Sequence, residues 1–137
     1  MFNDAERSIL NELADVLIPR SKEFPSASEA GVAGDGLDQV LTSRPDLLER
    51  LKTLLTCAKD RNPSDVVDEW RSADSDKFGL LAEVVSGAYF LNAGVCAAIG
   101  YHGQVPQPIL SASDNLDSEL LQPVIKRGAI YRPSETK

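Results

Sequence analysis

The sequence predicts an all-α fold, a single-domain helical bundle of about five helices with a Pro/Gly-rich loop and an extended C-terminal tail. Three observations lead there. Apolar residues recur at three- and four-residue spacing through most of the chain, Asn and Pro stand where helices open, and no segment sustains the period-two alternation of a half-buried strand. The 137 residues suit one domain, 1–137, with chain enough for a single core. No internal repeat is visible.

The elements follow in order. Asn3 can cap a first helix with Glu6 at the capping-box position, and Phe2, Ile9, Leu13 and Leu17 recur at helical spacing until Pro19 ends the helix near Ile18. Residues 21–36 are rich in Ser, Ala, Gly and Pro and read as a loop with at most one turn, leading to a short helix over 37–41. Pro45 marks the start of a third helix, whose Leu47, Leu48, Leu51, Leu54, Leu55 and Ala58 form one apolar face. Asn62 and Pro63 open a helix that runs through Trp70 and offers Val66, Val67 and Trp70 to the core. Asp74 or Ser75 caps a long helix of about 76–98, with Leu81, Val84, Val85, Ala88, Leu91 and Val95 along its stripe. Its apolar residues spread around most of the circumference, which predicts a central position. A short helix is expected over 117–121, and 123–137 is expected as an extended tail bearing Lys126, Arg127 and Arg132 with Ile125, Ile130 and Tyr131 interleaved.

Charge excludes some functions. With 21 acidic against 14 basic residues and a net charge of -7, the chain has no evident basic face to displace phosphate counterions, so a nucleic-acid partner is not expected. Residues 84–113 carry no charge, although 26% of the chain is Asp, Glu, Lys or Arg. The apolar part of that run is shorter than the roughly 20 residues a bilayer requires, and Ser86, Gly87, Asn92 and Gly94 interrupt it, so no membrane span is expected. The alternative is that the chain's own core or another chain covers it. Residues 1–13 contain Asp4, Glu6, Arg7 and Glu12 and lack the basic start, long apolar stretch and twin arginine of an export signal. The expected location is cytoplasmic, or periplasmic only if the chain is carried out with a partner.

Candidate chemistry is sparse. Cys57 and Cys96 lie in apolar helical stretches and read as buried thiols rather than a disulfide. The single His, His102, has no Cys nearby, so no metal-ligand spacing exists. Asp65, Asp68, Glu69, Asp74 and Asp76 read as a solvated helix face. Gly31, Gly34 and Gly36 lack the preceding strand of a dinucleotide loop. A catalytic role for His102 would need an orienting carboxylate and a substrate pocket, and the sequence places neither beside it. Tyr101, His102 and Gln104, in a neutral loop shaped by Pro106 and Pro108, suit the centre of a protein interface, and Tyr131 and Arg132 of the tail could add to it. No catalytic, cofactor-binding or metal-binding residue is expected in this chain.

Four segments carry a resemblance: Leu13-Ala-Asp-Val-Leu-Ile-Pro-Arg20 closing the first helix, Ala30-Gly-Val32 in the following loop, Ala88-Tyr-Phe90 late in the long helix, and Gly100-Tyr-His-Gly-Gln104 before a Pro-rich exit. In order and spacing, from the first helix to about Pro108, they resemble the gluconate 2-dehydrogenase subunit 3 family. The resemblance implies a small, helical, cofactor-free partner of a large flavoprotein of the glucose-methanol-choline oxidoreductase class, in which FAD oxidises sugars, sugar acids or other alcohols. It therefore implies a non-catalytic subunit of a hetero-oligomer. Many members of the family begin with a twin-arginine export signal, which residues 1–13 do not contain, and this chain has no Cys-X-X-Cys-His for a c-type haem. A free-standing helical adaptor or chaperone using the same neutral loop is the alternative, and a small enzyme using His102 and Tyr101 ranks last.

Overall fold

Helix α1, Asp4–Leu17, opens on the expected capping box. The Glu6 N–H donates to Asn3 Oδ1 at 2.9 Å, and the Asn3 N–H donates to Glu6 Oε2 at 2.8 Å, so two backbone donors that the first turn would leave unpaired are satisfied reciprocally. The computed structural model describes residues 2–104 and 118–128. It falls into two compact units, Met1–His102 and Gly103–Lys137. In the first, α1 is followed by a kinked turn Val32–Gly36 (the π turn), in which Gly34 leaves helical backbone (φ -99°, ψ -122°), then α2 Leu37–Ser43, α3 Leu47–Ala58, α4 Pro63–Ala73, α5 Ser75–Phe90 and α6 Ala93–Ala98. In the second, α7 spans Ser118–Arg127. Among the described residues the fold is all-α, with seven α-helices and no strand.

The later caps follow the same chemistry. Asn62 Oδ1 accepts from the Ser64 N–H at 3.0 Å and Pro63 occupies the first helical position of α4, where its missing N–H costs nothing. Asp74 Oδ1 accepts from the Lys77 N–H at the start of α5. Helix α3 begins two residues later than Pro45 suggests, at Leu47, after a turn in which the Leu48 N–H reaches the Pro45 carbonyl.

Helix α5 is the centre of the first unit. It packs against α1, α2, α3, α4, α6 and the π turn, and it buries Leu80, Leu81, Val84, Val85, Ala88 and Tyr89. Opposite it, α3 contributes Leu47, Leu51, Leu54 and Leu55, and α4 contributes Val66, Val67 and Trp70, all buried as their spacing predicts. The loop 19–31 and the π turn also enter the core through Ala27, Ala30, Val32 and Ala33. Gly36 makes the close approach possible: a Cβ there would stand 3.0 Å from the Ala88 carbonyl oxygen and 3.1 Å from the Ala88 Cβ.

Four expectations are corrected. The long helix does not reach residue 98: it ends at Phe90, and α6 starts afresh at Ala93 with Asn92 as its cap. Leu91, expected on the buried stripe, is exposed at that joint. The thiols are both free, as foreseen, but Cys57 is exposed and Cys96 is half-buried rather than buried, because Cys57 lies on the outer side of α3 and α6 sends only Val95 inward. The tail is not extended from residue 123; Pro123 lies inside α7, which runs on to Arg127 and places Lys126 and Arg127 in its last turn, where the helix dipole favours cations. The tail beyond residue 128 lies outside the described residues. No helix among the described residues is long and apolar enough to cross a membrane.

Candidate partner-binding surface

The neutral run 84–113 begins as core and ends as surface. Up to Tyr89 its apolar residues face inward on α5. Asn92 then adopts extended backbone (φ -72°, ψ 121°) and caps α6 by accepting from the Val95 N–H at 3.0 Å, so the helical path is broken and restarted. The redirected chain cannot keep every apolar side chain buried. Among the described residues of the first unit, the large apolar side chains left exposed are Phe90 (53%), Leu91 (49%), Ile99 (50%) and Tyr101 (53%). All four belong to the uncharged run.

Tyr101 is held in place by the end of α6. Gly100 takes a left-handed conformation (φ +75°) that suits a residue without Cβ, its N–H donates to the Ala97 carbonyl at 3.0 Å, and the Tyr101 N–H returns to the Cys96 carbonyl at 2.8 Å. This pair of bonds is a Schellman cap, which places Tyr101 just beyond the helix with its ring in solvent. His102 follows it and is exposed, and Gly103 (φ +83°) makes a second left-handed step. Gln104 is exposed and belongs to the second unit. Of the other expected contact residues, Pro106, Tyr131 and Arg132 lie outside the described residues.

Beside these side chains lies an apolar groove of about 350 Å³, lined by Ile18, Pro19, Ser21, Phe24, Tyr89, Phe90, Val95 and Ile99. Its lining contains no charged residue. Four other surface hollows of about 250 to 400 Å³ each take at least one Asp, Glu, Lys or Arg into their walls. The groove is shaped by long-range hydrogen bonds: the Tyr89 hydroxyl donates to the Pro25 carbonyl at 2.8 Å, and Asn92 Nδ2 donates to the Ala30 carbonyl at 3.0 Å. From the other side Asp15 accepts from the Ser28 N–H at 2.8 Å and from its hydroxyl at 2.6 Å, while Arg7 reaches the Ala33 and Gly34 carbonyls and pairs with Asp38 at 2.8 Å. The loop 19–36 is therefore pinned to α1 and to the α5–α6 joint. Burial pushes the Tyr89 phenol above its ordinary pKa, which keeps the donor proton in place. The Tyr89 and Phe90 rings meet edge to face, centroids 5.6 Å apart.

Three of the segments singled out in the sequence thus meet here. Ile18, Pro19, Tyr89 and Phe90 line the groove together, and Ala30 is tied to Asn92 just after them. The fourth begins at the cap of α6. Tyr101 and His102, singled out in the sequence, are exposed; the groove itself is not visible in the sequence, because Phe24, Phe90 and Ile99 read as ordinary helical or loop apolars. The signal that could have found it was Asn92 standing a few residues before an apolar run, as Asn62 stands before Val66 and Val67.

The glycines of the π turn do not form a phosphate cradle. Gly36 lies with its missing side chain against Ala88, and the helix that follows has only seven residues. Among the described residues no group of three or more His, Cys, Asp or Glu is arranged to hold a metal ion. No protein-family model, curated protein or solved structure matches this chain.

Proposed function

We propose that this chain is a non-catalytic small subunit of a heteromeric FAD-dependent dehydrogenase of the glucose-methanol-choline type, acting on sugars or other alcohols, which it binds and stabilises through the surface around the α5–α6 joint. The observation that carries a binding role is the concentration of Phe90, Leu91, Ile99 and Tyr101 on one uncharged stretch beside an uncharged groove. An acidic chain that leaves four large apolar side chains exposed in one 12-residue stretch has a surface suited to a partner, since aromatic and apolar groups away from formal charges are what fill interface centres. The identity of the partner rests on the resemblance of the four segments to the subunit 3 family. In this reading FAD belongs to the large chain, and Tyr101, His102 and Gln104 are contact residues.

Tagged chain should be purified from its native cells, and the co-eluting protein identified and examined for flavin absorbance. A flavoprotein in fixed ratio, poorly soluble or inactive when expressed without this chain, is the expected result. A flavin-free partner would favour the adaptor alternative. Stoichiometric FAD on this chain alone, or full activity of the flavoprotein without it, would overturn the proposal.

A further inference from the structure

Helix α6 buries far less of itself than α5, to which it is joined. It has six residues and sends one side chain, Val95, into the core, whereas α5 buries six. Ala93, Gly94, Ala97, Ala98 and Ile99 are exposed. A helix this short has no stability of its own, because nucleation is not repaid over so few bonds. Its side-chain hydrogen bonds to the rest of the unit are the Asn92 Nδ2 bond to the Ala30 carbonyl, 3.0 Å, and a weak Cys96 Sγ–H bond to the Phe90 carbonyl, 3.0 Å. The two helices are joined by Leu91 and Asn92, where the helical hydrogen-bond ladder is already interrupted.

The position of α6 gives that motion a consequence. Val95 of α6 and Ile99 at its end line the apolar groove together with Ile18, Pro19, Phe24, Tyr89 and Phe90. We propose that α6 is a hinged strap that opens as a unit about Leu91 and Asn92, independently of the core, and so uncovers the buried side of the groove. When it swings out, Val95 and the inner faces of Ile18 and Tyr89 join the side chains already exposed, and the uncharged surface offered to another chain grows. Residues 91–104 are all uncharged, so opening of α6 itself breaks no ion pair. The opening is a property of this chain by itself and does not depend on the identity of its partner.

Hydrogen exchange on the full chain alone, measured across a urea series below the unfolding transition, tests this directly. The amides of Val95, Cys96, Ile99, Gly100 and Tyr101, which hold α6 and its cap together, should exchange on the order of 100-fold faster than those of 81–88 in α5 and show almost no urea dependence, as local opening requires. Asn92→Asp keeps an acceptor for the Val95 N–H but replaces the donor to the Ala30 carbonyl with an oxygen. It should speed α6 exchange by about a further tenfold, the equivalent of one lost hydrogen bond, while leaving α3 amides unchanged. Equal rates and equal urea dependence for α5 and α6 in the unmodified chain would show that α6 opens only with global unfolding and would overturn the strap. So would an Asn92→Asp effect of the same size in α3 and α6.

Discussion

Replacing Gly36 and Gly79 by Ala should move stability in opposite directions, although both are glycines of helical backbone or its edge. At Gly36 the backbone (φ -60°, ψ -48°) would accept Ala, and the gain from lost unfolded-state freedom and better helix propensity is at most about 1 kcal/mol. The new methyl, however, would sit 3.0 Å from the Ala88 carbonyl oxygen and 3.1 Å from its Cβ, well inside the 3.5 to 4.0 Å at which such atoms attract. Both atoms belong to the central helix α5, which is packed on several sides and has little room to yield. Overpacking of that kind costs about 1 to 3 kcal/mol, so the net change is a loss of about 1 kcal/mol, or roughly 4 °C in Tm for a chain of this size. Gly79 lies exposed within α5, and a methyl added there would meet nothing within 4 Å, so Ala should add about 0.5 to 1 kcal/mol. Urea and thermal unfolding followed by helical circular dichroism would read both. A Gly36→Ala chain as stable as the unmodified one, or more so, would refute the close packing of the π turn on α5 that positions the groove.

Tyr89→Phe removes the donor to the Pro25 carbonyl and should cost about 1 kcal/mol at neutral pH by urea unfolding. Because burial raises the Tyr89 pKa above 10.0, the unfolded chain releases this proton first as pH rises; the stability it contributes is complete below about pH 10 and is lost above it. Stability should therefore fall less steeply above pH 10 in Tyr89→Phe than in the unmodified chain, and identical slopes would remove the buried phenol from the account. Tyr101→Ala should weaken association with the partner by roughly 1 to 3 kcal/mol in a titration while leaving circular dichroism unchanged, since the ring is exposed in the chain alone. His102→Ala should reduce assembly but leave flavin reduction per assembled complex normal in stopped-flow measurements; a collapse of that rate in intact complex would place the imidazole at the chemistry.

What was legible in the sequence was whatever a short pattern determines. Asn3 with Glu6, Asn62 with Pro63, and Asp74 mark helix starts because their chemistry is local, and the structure uses all three. The Leu47 to Ala58 face of α3 and the buried Trp70 follow from spacing alone. The joint at Asn92 was masked because the apolar periodicity of α5 continues through it, and only the tie to the Ala30 carbonyl, 62 residues away, gives the break its direction. The groove was not legible for the same reason: its walls come from three separated stretches. Pro123 misled in the other direction. It removes one hydrogen bond from α7, and the helix continues beyond it.

The ties that shape the loop 19–36 also bear on the order in which the first unit is assembled. Tyr89 to Pro25 spans 64 residues and Asn92 to Ala30 spans 62, so neither can form until α1 and α5 have met, and closing such long segments carries an entropic penalty that nearer contacts avoid. The packing of α4 on α5 joins neighbours in sequence and suits an early nucleus. The groove is therefore expected to form late, after the folding transition state. Substitutions at Tyr89 or Asn92 should speed unfolding and leave the folding arm of the chevron almost in place, which would make the groove side of this chain the part that is lost first and regained last.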